Sequence, residues 1–305
     1  MDAKLEAAFA RIPLFAGRSP DAVERLGGLT NLVYRVGLDG RDYLLRIAGE
    51  GTEAYIDRSV EAHNARVAAD AGVSADVLFF DEADGLMLAD YIPDAATMNA
   101  ERFQDIGACR RAALAFRQMH QCGKDFRTVF DVFEKMDEYL ALLAELKAPV
   151  PEGYEDVKRE ADAVRKALAA RPAKLVPCHC DPLAENFLDT GERMWIVDWE
   201  YSGNNDPMWD LGDLSVEAGF GPAQDEAMMF AYFDGPPPAD QLGRMVLYKA
   251  MCDLLWTLWG VIQHANGNPV EDFWAYAVGR FERCRKLMAE PGFAGHIEAV
   301  ARGGS

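Results

Sequence analysis

His179-Cys180-Asp181-Pro182-Leu183-Ala184-Glu185-Asn186, followed twelve residues later by Asp198-Trp199-Glu200, is the stretch on which the sequence turns. It has the form H-x-D-x-x-x-x-N, then a short hairpin, then a carboxylate. Phosphoryl transfer needs a group that orients the attacking hydroxyl and accepts its proton, and it needs oxygen ligands for a hard cation. Asp181 is placed as the catalytic base, Asn186 and Asp198 as magnesium ligands, and His179 as a structural member of the loop. One acid near an Asn signals no more than a turn. Here three polar positions are bracketed by the apolar runs 173–177, 187–189 and 194–197, which read as short strands.

Upstream, the pattern changes twice. Residues 2–11 have helical spacing and are expected to pack on the small lobe as an N-terminal extension. Segments 31–36 and 43–47 are rich in branched and aromatic residues, and Asp39-Gly40 between them is a hairpin signal. Residues 52–71 return to helical spacing, with Gly72 placed to close the helix. Segments 77–80 and 86–91 form a second hairpin around Asp84-Gly85. Hairpin, helix and hairpin make a small α+β unit that ends near Tyr91. Beyond it, helical periodicity covers 100–121, 130–146, 154–170, 241–264 and 270–289. Gly235-Pro236-Pro237-Pro238 reads as a loop between helices and 302–305 as a frayed end.

Composition narrows the partners. With 50 acidic against 31 basic side chains the net charge is −19, which argues against a broad footprint for nucleic acid or an anionic membrane. The longest strongly apolar run, 254–262, is shorter than the ~18 residues a membrane span needs. The chain starts without the basic and apolar pattern of a secretory signal. Six dispersed cysteines in a chain of this length fit a reducing compartment, and Cys178-His179-Cys180 is spaced too tightly for a zinc pair. The expectation is a soluble cytoplasmic protein, monomer or homodimer, with no nucleic-acid or membrane partner.

The catalytic stretch resembles the catalytic loop and metal-binding segment of the aminoglycoside phosphotransferase and choline kinase superfamily. The resemblance covers nearly the whole chain. It implies an α+β, protein kinase-like two-lobe fold, with 1–92 as the nucleotide-binding lobe and 93–305 as the catalytic and acceptor-binding lobe, and with ATP and Mg2+ as cofactors. Leu26-Gly27-Gly28-Leu29-Thr30-Asn31 is similar to the family's nucleotide loop, so Gly28, Thr30 and Asn31 are expected at the phosphates. Arg46 stands where the kinases have their strand lysine, and Glu61 where they have the helix glutamate that pairs with it. Residues 88–92 correspond to the hinge, placing Asp90 and Ile92 at the adenine edge. Asp210 is expected to support the loop by hydrogen bonding or by capping the next helix.

Asp198-Trp199-Glu200-Tyr201 is similar to choline and ethanolamine kinases more than to the antibiotic-modifying branch. Glu200 is grouped with the acceptor residues, with a contribution to the metal site or its surroundings also open. Trp256 and Trp259 lie three apart on a late helix and share a face. Rings bind quaternary ammonium groups through the negative density of their faces, yet a Trp pair at this spacing also suits a plain core. Choline kinases carry a similar W-x-x-W helix, followed by one like Phe273-Trp274-Ala275-Tyr276 to Arg280-Phe281. Tyr201 is expected as another wall of the pocket, with Phe220 a further candidate. His179-Cys180-Asp181 departs from the H-N-D of the eukaryotic enzymes and points to the bacterial choline kinase-like branch. The implied activity is ATP-dependent phosphorylation of a small amino alcohol, most simply choline. Ethanolamine, thiamine and aminoglycosides stand as alternative acceptors, and a non-catalytic sensor as the alternative of another class.

Overall fold

The computed structural model describes residues 3–26, 31–49 and 56–303. Its first part is a five-stranded antiparallel sheet in the order β1-β2-β3-β5-β4, from β1 (Ala22–Arg25), β2 (Leu32–Leu38), β3 (Arg41–Ile47), β4 (Val77–Asp81) and β5 (Leu86–Asp90). Asp39 and Gly40 both take positive φ, the tight hairpin geometry that brings Leu38 opposite Arg41. Strand alternation then sorts the sheet's two faces. Tyr34, Val36, Leu38, Tyr43, Leu45, Leu86 and Leu88 share one apolar core with Leu5, Phe9, Ile12 and Phe15. The last four come from α1 (Ala3–Arg11) and the 3-10 turn after it. Arg46, one residue on from Leu45, points the other way.

That other face meets α2 (Arg58–Asp70). This helix starts later than the expected 52–71, because Asp57 is extended and its carboxylate accepts from the N–H groups of Ser59 at 2.9 Å and Val60 at 3.2 Å. Residues 50–55 lie outside the described residues. Gly72 follows the helix with φ +74°, as a C′ glycine should.

The second part is mainly helical. It contains α3 (Ile106–His120), α4 (Val132–Leu146), α5 (Tyr154–Ala170), α6 (Pro207–Glu217), α7 (Pro222–Phe233), α8 (Ala239–Ala265), α9 (Phe273–Met288) and α10 (Phe293–Arg302). The helix expected from residue 100 is interrupted: 102–104 form a 3-10 turn and Asp105 caps α3 afresh. The expected strand 173–177 is displaced to β7 (Val176–Cys178), which pairs with β10 (Gly203–Asn205). β8 (Phe187–Asp189) and β9 (Met194–Ile196) form the hairpin between Asn186 and Asp198, and β6 (Ala96–Thr97) adds to its edge. The short strands β1, β6 and β10 and the helix α7 carry too little periodicity to be read in advance, and α10, although amphipathic, is only ten residues long and lies beyond the last helix expected.

α8 is the axis of this part. Its 27 residues are long and apolar enough to cross a membrane, contrary to what the run 254–262 suggests, but 83% of its most apolar window is buried inside the protein. α6 lies so close to it that a Cβ on Gly212 would come within 2.7 Å of the Met245 carbonyl oxygen. Gly212→Ala is therefore expected to destabilise the protein by about 1–3 kcal/mol in urea unfolding, as overpacking does. Unchanged stability would mean that the two helices are not held at this distance.

Candidate active site

The loop between β7 and β8 is held from below by one buried carboxylate. Asp210, in the first turn of α6, accepts from the backbone N–H of His179 at 2.8 Å and from that of Cys180 at 2.9 Å. The His120 ring reaches the same carboxylate through Nε2 at 3.0 Å and contacts the Tyr232 hydroxyl through Nδ1 at 2.9 Å. A carboxylate only accepts, so Nε2 donates to it, and in the neutral ring Nδ1 is then the acceptor for the phenol. The helix cap itself is Asp206, whose side chain accepts from Met208 N–H. Of the two roles expected for Asp210, the structure gives it the hydrogen-bonding one.

The clamp has a purpose in backbone terms. Cys180 sits at φ +67°, a conformation disfavoured for an L residue with a side chain. That costs about 1–3 kcal/mol, and two hydrogen bonds to a buried charge, at about 1.5–3 kcal/mol each, outweigh it. The Trp209 indole N–H adds a bond to the Cys180 carbonyl at 3.2 Å. The thiols of Cys178 and Cys180 are buried, which raises their pKa well above the usual value, and both donate to backbone carbonyl oxygens. His179 is buried too. Its pKa is pushed down by desolvation, and its Nε2 meets the Val197 carbonyl oxygen at 2.9 Å, tying the loop to the end of the hairpin.

Three predicted residues meet at this point. Asp181 has its pKa pushed up to about 7, first by burial and then by the Glu217 carboxylate, with Arg280 acting against both. The Asn186 amide nitrogen donates to the Asp181 carbonyl at 3.1 Å, leaving the amide oxygen as its other polar end. The Asn186 carbonyl accepts from Val197 N–H at 2.9 Å, which couples the loop to the segment leading into Asp198. Asp198 is held at φ +68°. Its Oδ1 is buried without a hydrogen-bond partner, and burial followed by the neighbouring Glu200 raises its pKa well above the carboxylate range.

Charged residues of the small lobe close over this carboxylate. Arg46 is ion-paired with Glu61 and its Nη1 lies 3.7 Å from Asp198. Arg58, which carries no motif signal, reaches Glu61 at 2.6 Å. Glu200 lies in this group and not with the rings around Trp256: Arg58 approaches it at 3.0 Å, Arg46 at 3.8 Å, and the Asn31 amide donates to it. Burial alone would raise Glu200, but Arg46, Asn31 and Arg58 outweigh it and hold the group below its usual value. Asn31 thus faces a carboxylate, while Gly28 and Thr30 lie outside the described residues. Asp90 ends β5 with its carboxylate on Arg41 at 2.6 Å and its N–H on the Asp76 carbonyl, and Ile92 follows, half-buried.

On the other side of Asp181 the rings gather. Tyr201 and Trp256 lie edge to face at 6.0 Å, Trp256 and Trp259 at 6.2 Å, and Trp259 meets Tyr276 at 5.7 Å. Arg280 stacks on Tyr276 at 4.7 Å and binds Glu217 through Nη2 at 2.6 Å and 2.8 Å. Phe220 is elsewhere, packed on Phe103 at 5.4 Å in the core. Asp213, whose Oδ1 accepts from the Cys252 thiol and whose Oδ2 is buried without a hydrogen-bond partner, and the Arg58–Glu200 and Glu217–Arg280 pairs carry no local sequence signal, because their partners come from distant segments. Asp210→Asn keeps the shape but offers one fewer acceptor oxygen to the two loop N–H groups. It is expected to lower kcat at least tenfold and stability by about 1–3 kcal/mol, read by steady-state kinetics and urea unfolding. Wild-type kcat in a folded variant would contradict the clamp.

Known proteins are similar to this chain over most of its length. The family model for choline/ethanolamine kinase matches residues 23–231. A choline/ethanolamine kinase family protein from Mesorhizobium loti is 55% identical, with a TM-score of 0.91 over 98% of this chain and 99% of that one. The choline kinase LicA from Streptococcus pneumoniae is 30% identical, with a TM-score of 0.75 over 90% and 96% of the two chains. A structure of LicA in complex with AMP, also 30% identical, gives 0.72 over 91% and 93%. The α+β, protein kinase-like architecture, the ordered loop and this match over most of the chain lead to one conclusion: the protein belongs to the choline/ethanolamine kinase family and is a small-molecule kinase.

Proposed function

We propose that the protein transfers the γ-phosphoryl group of ATP to the hydroxyl of a small amino alcohol, with choline as the preferred acceptor and ethanolamine as the alternative. The observation that carries the choice is the ring cluster of Tyr201, Trp256, Trp259 and Tyr276, joined to the catalytic segment through the Tyr201–Trp256 contact. A quaternary ammonium cannot donate a hydrogen bond and is best held by ring faces. A primary ammonium wants carboxylate oxygens; those of Glu217 are engaged by Arg280, so ethanolamine, as the alternative, would turn to the unpartnered Oδ2 of Asp213 close to them. Likeness to the LicA choline kinase supports the same choice, and the AMP complex supports an adenine nucleotide.

In this account the lobes divide near residue 92 and ATP lies between them. Asp181 receives the proton of the acceptor hydroxyl as its oxygen bonds to the γ-phosphorus and the bond to the β,γ-bridging oxygen breaks, releasing ADP. Arg46 faces the phosphates with a fixed positive charge. The residues fit magnesium: Asp198 has a buried oxygen with no hydrogen-bond partner, and Asn186, whose amide nitrogen is used on the Asp181 carbonyl, keeps an amide oxygen to offer. The ion would neutralise phosphate charge there. Trp256 also has a buried Nε1–H with no acceptor, a donor that an oxygen of the bound alcohol would satisfy.

Trp256→Leu is expected to raise KM for choline at least tenfold while leaving KM for ATP within about twofold. Equal choline kinetics in both proteins would remove the ring argument, and faster turnover of ethanolamine than choline by the wild type would replace the acceptor. Asp181 must be ionised to accept a proton, so turnover is expected to rise with pH through its titration. In the nucleotide-free protein, carbon-13 carboxyl spectra assigned with Asp181→Asn should show it titrating near pH 7. A midpoint near the ordinary ~4 would contradict the desolvated base.

A further inference from the structure

Two arginines and two glutamates form a closed ring between the lobes. Arg46 pairs with Glu61, Glu61 with Arg58 at 2.6 Å, Arg58 with Glu200 at 3.0 Å, and Glu200 lies 3.8 Å from Arg46. All four side chains are at most 6% exposed. The distances around the ring are unequal. The tight partner of Glu200 is Arg58, and Arg46 is only loosely engaged on that side, at 3.7 Å from Asp198 and 3.8 Å from Glu200. Arg58 is built into this place. It occupies the first position of α2, and a Cβ on Gly85, in the turn between β4 and β5, would come within 2.8 Å of its Cδ and Nε. A side chain at position 85 would press directly on the guanidinium.

Charge explains what this arrangement does. Arg46 and Arg58 stand against Glu61, Glu200 and Asp198. With Arg58 removed, one cation of this group would face three buried or half-buried carboxylates among the described residues, and Glu200 would draw Arg46 toward itself, since a buried charge left unpaired is costly. We propose that Arg58 is a positioning residue: it holds Glu200 to the small lobe and keeps it compensated, so that Arg46 is left available for the nucleotide phosphates. This rests on the assignment of Arg46 to the phosphates in the proposed function and is independent of which alcohol is phosphorylated.

Binding of ATP with magnesium by titration calorimetry tests it, with melting temperature followed alongside. Arg58→Met is expected to weaken ATP binding roughly tenfold and to leave KM for the acceptor unchanged, with Arg58→Lys falling between Met and wild type. The decisive protein is Arg58→Met combined with Glu200→Gln. If Arg58 acts by keeping Glu200 off Arg46, neutralising Glu200 removes the charge that would draw Arg46 away, Glu61 and Asp198 being unchanged, and the double variant binds ATP more tightly than Arg58→Met alone. A purely structural arginine gives losses that add. Additive losses, or wild-type ATP affinity in a folded Arg58→Met, would overturn the proposal. Should Arg58→Met fail to fold, Arg58→Lys measured alone and in combination with Glu200→Gln reads the same coupling: a loss confined to the protein that retains Glu200 supports the proposal, and equal losses overturn it. Since ATP binding needs no acceptor, a failure of the choline assignment leaves this result standing.

Discussion

Asp210 is the constraint from which the rest of the site follows. Its carboxylate has no solvent to satisfy it, and its acceptor capacity is taken up by two consecutive backbone N–H groups, those of His179 and Cys180, and by the His120 ring. Two adjacent amides converge on one carboxylate when the chain turns sharply, and Cys180 provides the turn by entering the left-handed region. The strain and the clamp are thus two views of one arrangement. Apolar packing alone would not select it, because the disfavoured backbone would relax if its N–H groups had other partners. A buried, fully engaged carboxylate makes that relaxation expensive.

From this point the geometry propagates along the chain. The turn at Cys180 sets the direction in which Asp181 leaves the loop, and the Asn186 amide fixes the carbonyl of that same residue. β8 and β9 carry the chain out and back so that the Asn186 carbonyl meets Val197 and the His179 ring meets the same residue's carbonyl oxygen. Asp198 then leaves in a second left-handed turn. Its position beneath Arg46 links the rigid loop to the small lobe, whose Arg46 and Arg58 are held by Glu61 and by Glu200. Site residues drawn from segments more than a hundred residues apart share one charge network with the loop.

Much of this was legible in the sequence, for identifiable reasons. The spacing of His179, Asp181, Asn186 and Asp198 lies within one short stretch, so the pattern keeps its meaning without tertiary information. The hairpins were readable because Asp39-Gly40 and Asp84-Gly85 demand particular turns. What escaped depends on who meets whom. Arg58 looks like one more charge in the first turn of an acidic helix, and nothing local says that Glu200, 142 residues on, is its partner. For the same reason the sequence leaves Glu200 open between the acceptor and the surroundings of the metal site. Its neighbour Tyr201 does turn toward Trp256, while Glu200 turns to the small lobe. The start of α2 depends on Asp57 as a cap inside a run of helical spacing, and the apolar length of α8 only acquires its meaning once its neighbours are seen to bury it.

The loop that carries Asp181 is rigid because a buried carboxylate holds it. Amide hydrogen exchange at His179 and Cys180 in the nucleotide-free wild-type protein reads this directly. If Asp210 clamps the loop, both amides exchange as slowly as those in the buried middle of α8, through global unfolding alone. Exchange as fast as that of an exposed turn, such as the one at Asp39-Gly40, would show that the loop opens on its own and would contradict the account.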